Sequence, residues 1–460
     1  MFPSGFQRLL RPGIAVSALL PFFALSGCGG GGGGEPSPIP TGSGAIISQP
    51  GWTAPTPTRA LTPKKWTFLV YLNAANDLER FAANDTNQME QIGSTNDVNI
   101  VLQYKRIRYF DPDLDDTKNG DWTGTRRYYV TRDNDTEKIN SPLLSQSSSI
   151  DMGRAQTLQE FVRWGVAAFP AERVCLVIWN HGAGWRSRSA GGSPITRGVS
   201  YDDVTGSAID TIQIPGAINI DRKWDIVAFD SSLMQMAEVA YEIRNQASFI
   251  VGSEESPPGD GYYYDRLMAN LTGNPNQTTR AFASFIAQDT LAAYTANTGI
   301  TNITHSALDA AQVGAIAPAM NALGTALTAA QTTWGSQIAS ARRSSESYGD
   351  NRGGIDYTQN KDLVDFLDKL APVGGTPAVN NPGVVSAVQG VRNVLAGAII
   401  SNARGTGHPR SNGLAIYIPS PTQFLATEEQ QNDGFGQPYG ALSFSQAAPA
   451  WRNFLQTGPP

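Results

Sequence analysis

Short apolar runs alternate with amphipathic stretches through the middle of the chain. "KKWTFLVYLNAANDLERFAANDTNQMEQIG" predicts a strand at Trp66–Leu72, followed by a helix with apolar positions Leu78, Phe81, Met89 and Ile92. "DVNIVLQYKR" predicts a second strand, Asp111 to Gly120 a polar loop, and "RRYYVTRD" an edge strand. From about Asp151, "DMGRAQTLQEFVRWGVAAF" has a helical face of Leu158, Phe161, Val162 and Val166. "RVCLVIWN" and "KWDIVAF" are mainly apolar, as strands buried on both faces are. "SSLMQMAEVAYEIR" puts Leu233, Met236, Ala237, Ala240 and Ile243 at helical spacing, and "ASFIVGSEE" predicts one more strand. Alternating strands and helices imply an α/β fold with a mainly parallel sheet sandwiched by helices. After Leu271 the chain turns helical and Ala-rich, as in "HSALDAAQVGAIAPAMNALGTAL", before a last strand at "GLAIYIP". No internal repeat of fixed period is present.

The N-terminus has a different pattern. Arg8 and Arg11 precede an apolar run from Gly13 to Leu25, too short to span a bilayer comfortably but of signal-peptide proportions. It ends in Leu25-Ser26-Gly27-Cys28, which resembles the bacterial lipobox, whose cysteine is acylated. Gly29, not aspartate, follows Cys28; by analogy with lipoprotein sorting this favours the outer membrane. Residues 28–63 form a Gly-, Pro-, Ser- and Thr-rich tether. Such a segment buries too little apolar area to order itself, and would span roughly 30–35 Å root-mean-square. The expected layout is a leader at 1–27, the tether at 28–63, an α/β core at 64–270 and a helix-rich C-terminal part of the same unit at 271–460. The globular part is expected outside the cytoplasm, anchored to the cell envelope by lipid.

Charge adds little. With 34 Lys+Arg against 40 Asp+Glu, the net charge is -6, and nothing directs the chain to nucleic acid. Of two cysteines, Cys28 is assigned to lipid and Cys175 lies inside an apolar run, so no intrachain disulfide is expected.

The candidate chemistry sits at strand ends. There are three histidines. His305 and His408 carry no motif and are assigned to surface or packing. His181, in "WNHGAGW", follows a buried strand directly. Ligands of open α/β sheets collect beyond such carboxyl ends. Asp230-Ser231-Ser232 follows another, at the expected N-terminus of a helix, where free N–H groups favour an anion. A base and a hydroxyl at neighbouring strand ends are the raw geometry of nucleophilic acyl transfer. Asp and Ser are also favoured helix caps, and Ser231 is assigned that role. No clustered ligand spacing suggests a metal and no phosphate loop suggests a nucleotide, so neither metal nor cofactor is expected.

The ordered set "LVYLNAANDLE", "DMGRAQTLQEFVRWG", "LVIWNHGAGW", "YDDVTG", "DIVAFDSSLMQMAEVAYEI" and "VGSEESPPGDGYYY" resembles the clostripain family of cysteine peptidases. "HSALD", "LVDFL" and "GLAIYIP" are similar to its C-terminal part. The resemblance implies a caspase/gingipain-like fold and peptide substrates with Arg or Lys. It places the catalytic base at His181, an oxyanion N–H at Gly182, the basic-residue selector at Asp230 and the nucleophile at residue 232.

Residue 232 is serine where the family has cysteine. A thiol with a pKa near 8.5 ionises readily beside histidine. A hydroxyl needs a general base, usually oriented by a third, acidic group. Asp202, Asp203, Glu254 and Glu255 are the candidate orienting acids. Two functions stay open: a peptidase attacking with Ser232, or an inactive homologue that binds basic peptides as an envelope scaffold. A carboxylate within hydrogen-bond reach of His181 favours the first.

Overall fold

The computed structural model describes residue 52 and residues 63–108, 117–187, 197–349, 351–352, 355–430 and 438–460. The expected leader, Cys28 and nearly all of the tether lie outside the described residues. Nine strands form the main sheet: β1 (Lys64–Ala74), β2 (Val98–Arg106), β3 (Gly124–Tyr129), β4 (Leu143–Ser147), β5 (Ala171–Trp179), β6 (Trp224–Asp230), β7 (Ala247–Gly252), β8 (Thr304–Asp309) and β9 (Ile399–Arg404). Their order is β9-β8-β7-β6-β5-β1-β2-β3-β4. The central five, β7-β6-β5-β1-β2, are parallel. The outer pairings are antiparallel.

Both faces are covered, which is why the central strands carry no polar alternation. Phe68, Val70, Cys175 and Val177 pack on one side with the helices α1 (Glu79–Ile92), α4 (Tyr264–Gly273) and α5 (Thr279–Asn297). Leu69, Tyr71, Leu176 and Ile178 pack on the other with α2 (Ala155–Ala168), α3 (Ala237–Ile243) and the 29-residue α6 (Ile316–Ser344). Cys175 is fully buried, and burial pushes its thiol well above the ordinary range, so it is no nucleophile.

Three expectations need correction. β3 is not an edge, because β4 pairs outside it. "HSALD" is strand β8 rather than helix, and it joins the main sheet through β7. The largest difference follows β6, where the helix begins at Ala237 and not at Ser231. Residues 231–236 run without helix between the residues that follow β7 and the short strand Ala415–Tyr417. Gln235 N–H donates to Ser253 O at 3.0 Å, and Gln235 O accepts from Ala415 N–H at 3.0 Å. Leu233 takes a φ of 62°, in the left-handed region that a leucine seldom occupies. Leu233, Met234 and Met236 are buried all the same, so apolar spacing alone could not tell the two conformations apart.

Candidate active site

Sheet register aligns the site. Leu72 of β1 pairs with Trp179 of β5, and Trp179 pairs with Asp230 of β6. The three strands end together, so Asp77, His181 and Ser232 emerge from adjacent loops. The chain turns to opposite sides of β1 for β2 and β5, which makes this the crevice where ligands of such sheets bind. A cavity of about 480 Å³ opens there, lined by residues that include Asp77, Phe81, His181, Asp230, Ser232 and Gly261.

His181 Nε2 lies 2.6 Å from Asp77 Oδ1. None of the four acids expected from sequence fills that place. Asp202 Oδ2 accepts from Lys105 Nζ at 2.5 Å and Met152 N–H at 2.9 Å. Glu254 accepts from Tyr348, Ser411 and Gly413 N–H. Glu255 accepts from Gly349 N–H and pairs with His408. Asp203 sits on an exposed turn. Sequence reasoning missed Asp77 because Asn-Asp before an amphipathic run looks like a helix start. Here Asn76 Oδ1 accepts from Leu78 N–H at 3.0 Å, and α1 has no side-chain cap of its own. The available signal was sheet topology: residues after β1 must face those after β5.

Ser231 does not cap a helix. Its hydroxyl donates to Ile178 O at 3.0 Å, tying the β6 end to β5. Ser232 is partly exposed in the cavity and its hydroxyl makes no hydrogen bond among the described residues. With no helix starting at residue 231, no helix N-terminus faces an anion there. That expectation is withdrawn.

Gly182 is required by space. A β-carbon there would stand 2.3 Å from Ser232 O and 3.0 Å from Met234 Cγ. Gly182→Ala is therefore expected to cost on the order of 2–3 kcal/mol in urea unfolding and to displace Ser232. An unchanged midpoint would show that the two loops yield freely.

Asp230 is 6% exposed and lines the cavity. Its Oδ2 accepts from Tyr262 N–H at 3.1 Å and Tyr264 Oη at 2.9 Å. Burial raises its pKa to about 6, against the opposing pull of those two hydrogen bonds. Gly261, at φ 60°, leaves room for the carboxylate: a β-carbon there would come within 2.7 Å of Oδ2. Behind it Tyr262 Oη meets His305 Nε2 at 2.8 Å, and burial lowers that histidine to about 3. His408 is also buried, between Glu255 and Glu346, so both of these histidines serve packing. Among the described residues no cluster of His, Cys, Asp or Glu is arranged to hold a metal ion.

Comparisons with known proteins bear on the family and the fold. A model of the clostripain family matches residues 70–457. Clostripain from Hathewaya histolytica is 26% identical over 225 residues, covering 45% of this chain and 42% of that protein. The chain thus spans about two fifths of that relative's length. An inactive zymogen C11 protease from Parabacteroides distasonis superposes with a TM-score of 0.59 at 17% identity, over 84% of this chain and 99% of that one. A secreted C11 cysteine protease from Bacteroides thetaiotaomicron, in complex with an irreversible peptide inhibitor, does so at 0.57 and 18% identity, over 84% and 99% of the two chains. These structures share the fold, a mainly parallel sheet between helices. With the family model spanning most of its length, the chain belongs to the clostripain family.

Proposed function

We propose that this chain hydrolyses peptide bonds after Arg or Lys at the cell envelope, tethered by lipid on Cys28, with Ser232 as nucleophile and His181 as base. The observation that carries the proposal is the Asp77 carboxylate 2.6 Å from His181 Nε2. A serine needs an oriented base, and Asp77 fixes the ring with the proton on Nε2, leaving the lone pair on Nδ1. An incoming Arg or Lys side chain meets the Asp230 carboxylate in the cavity. The Ser232 hydroxyl attacks the carbonyl carbon, and its proton passes to His181. The Gly182 N–H donates to the oxyanion. The proton then moves to the leaving amine as the C–N bond breaks, and water repeats the steps on the acyl-enzyme. The peptide inhibitor bound by the Bacteroides relative supports a peptide substrate for this groove.

A second reading is that the groove holds basic peptides without cleaving them. It is favoured by the absence, among the described residues, of a hydrogen bond between Ser232 and His181. Hydrolysis of an Arg-containing fluorogenic peptide separates the two. The native chain is expected to cleave, and Ser232→Ala and His181→Ala to lose at least about 10³-fold in kcat. Cleavage by Ser232→Cys alone would overturn catalysis and leave the binding reading. Silence from both, together with no binding of the peptide, would reject the assignment of this groove.

A further inference from the structure

Three buried asparagines converge on one carbonyl beside the site. Asn76 precedes Asp77, Asn180 precedes His181, and Asn73 lies in β1. Asn73, Asn76 and Asn180 each donate from Nδ2 to Tyr201 O, at 3.1, 2.9 and 3.1 Å. Tyr201 N–H returns a bond to Asn180 Oδ1 at 2.9 Å. The Asn180 amide also donates to Asn73 O. None of the three is more than 3% exposed. Just before Tyr201, Ser200 takes a φ of 64°, an unfavourable conformation for a residue with a side chain, and its hydroxyl donates to Met152 O at 2.9 Å.

We propose that this asparagine cluster is the positioning device for the Asp77–His181 pair. It deepens the catalytic reading above, since its value lies in holding a base. Asp77 is half exposed on a loop, and its carboxylate and the His181 ring come from two different loops. Each is attached, one residue back, to an amide fixed on the same oxygen. The Tyr201 carbonyl is the common reference from which the two loops are measured. The strand Arg197–Asp202 that carries it is therefore part of the catalytic apparatus, although it contributes no group to the reaction.

The test uses Asn76→Ala and Asn180→Ala in the full chain, with Asn99→Ala as control. Asn99 is equally buried and donates to Thr67 Oγ1 at 3.1 Å, remote from the strand ends that build the site. Each test variant is expected to lose about 10- to 100-fold in kcat with KM within about twofold, and the control neither. Adding Asn76→Ala to Asp77→Asn is expected to cost under about threefold more, because the pair it positions is already broken. In ¹⁵N spectra of the histidine rings, native His181 should hold its proton on Nε2, and the test variants should mix tautomers. Full additivity, or an unchanged tautomer with only the melting temperature lowered, would reduce the cluster to a structural clamp. The spectra decide this even if the native chain cleaves nothing, so failure of the catalytic reading is told apart from failure of this one.

Discussion

Asp77→Asn is expected to lower kcat for an Arg-containing peptide by about 10³- to 10⁴-fold while leaving KM within about twofold. The carboxylate does two things that an amide cannot. In the proposed mechanism it accepts a hydrogen bond from Nε2–H, which sets the tautomer, and it stabilises the imidazolium formed when Ser232 gives up its proton. An amide can offer N–H to Nε2, which moves the ring proton to Nδ1 and removes the lone pair from the working side. The effect depends on the nucleophile. In a Ser232→Cys background the same change should cost only about 10-fold or less, since a thiolate needs less help from the base. That contrast is the measurement of interest: equal losses in the two backgrounds would mean that Asp77 serves the fold and not the serine. Stability is a fair control, because Asp77 is half exposed and its pair should contribute little.

The sheet was legible because its signal is local. Strands such as β5 are apolar without a break from Val174 to Trp179, and only burial on both faces explains that. The strand-end positions of His181, Asp230 and Ser232 followed directly, and β5 and β6 end in register as expected. What sequence pattern could not supply was the partner of each polar group. Leu78 and Phe81 look like core positions of α1, yet both line the cavity. The α1 residues buried toward the interior include Glu79, paired with Arg106 at 2.5 Å, and Asp85, bonded to Trp179 Nε1 at 2.7 Å. Contacts made across 27 positions, as by Glu79 and Arg106, or across 94, as by Asp85 and Trp179, carry no periodic signature. The same holds for Glu254 and Glu255, which looked available to His181 and are engaged with residues 348–349 and 408–413. Residues 231–236 failed for a different reason. Leu233 and Gln235 form backbone hydrogen bonds with Glu255, Ser253 and Ala415, a long-range circumstance that outweighs helical spacing.

Asp230→Asn is expected to lower kcat/KM for Arg and Lys peptides by about 10²- to 10⁴-fold at pH 8, the cost of leaving a buried cation without its counter-charge. The protein itself should gain. An asparagine there can present Oδ1 to the same two donors, Tyr262 N–H and Tyr264 Oη, without burying a charge. The sign follows from the raised pKa. Asp230 ionises near 3.8 when unfolded and near 6 when folded. Below the lower value both states are protonated and the residue contributes nothing. Between the two values the folded state binds more protons, so stability falls as pH rises. Above about 6 the penalty is full, on the order of 3 kcal/mol. The native and Asp230→Asn chains should thus unfold alike below about pH 4, diverge between there and about pH 6, and keep the full difference above it, with the substituted chain the more stable. Catalysis runs the other way. Native KM for an Arg peptide should rise as pH falls through about 6, because the protonated carboxyl cannot pair with the guanidinium. The substituted enzyme should lack that limb. A stability cost with no purpose in folding is what a binding carboxylate carries when its counter-ion arrives with the substrate. If the Asp230→Asn chain proved less stable at pH 8 and cleaved Arg peptides as before, Asp230 would be a structural acid, and recognition of the basic residue would have to be sought elsewhere in the cavity.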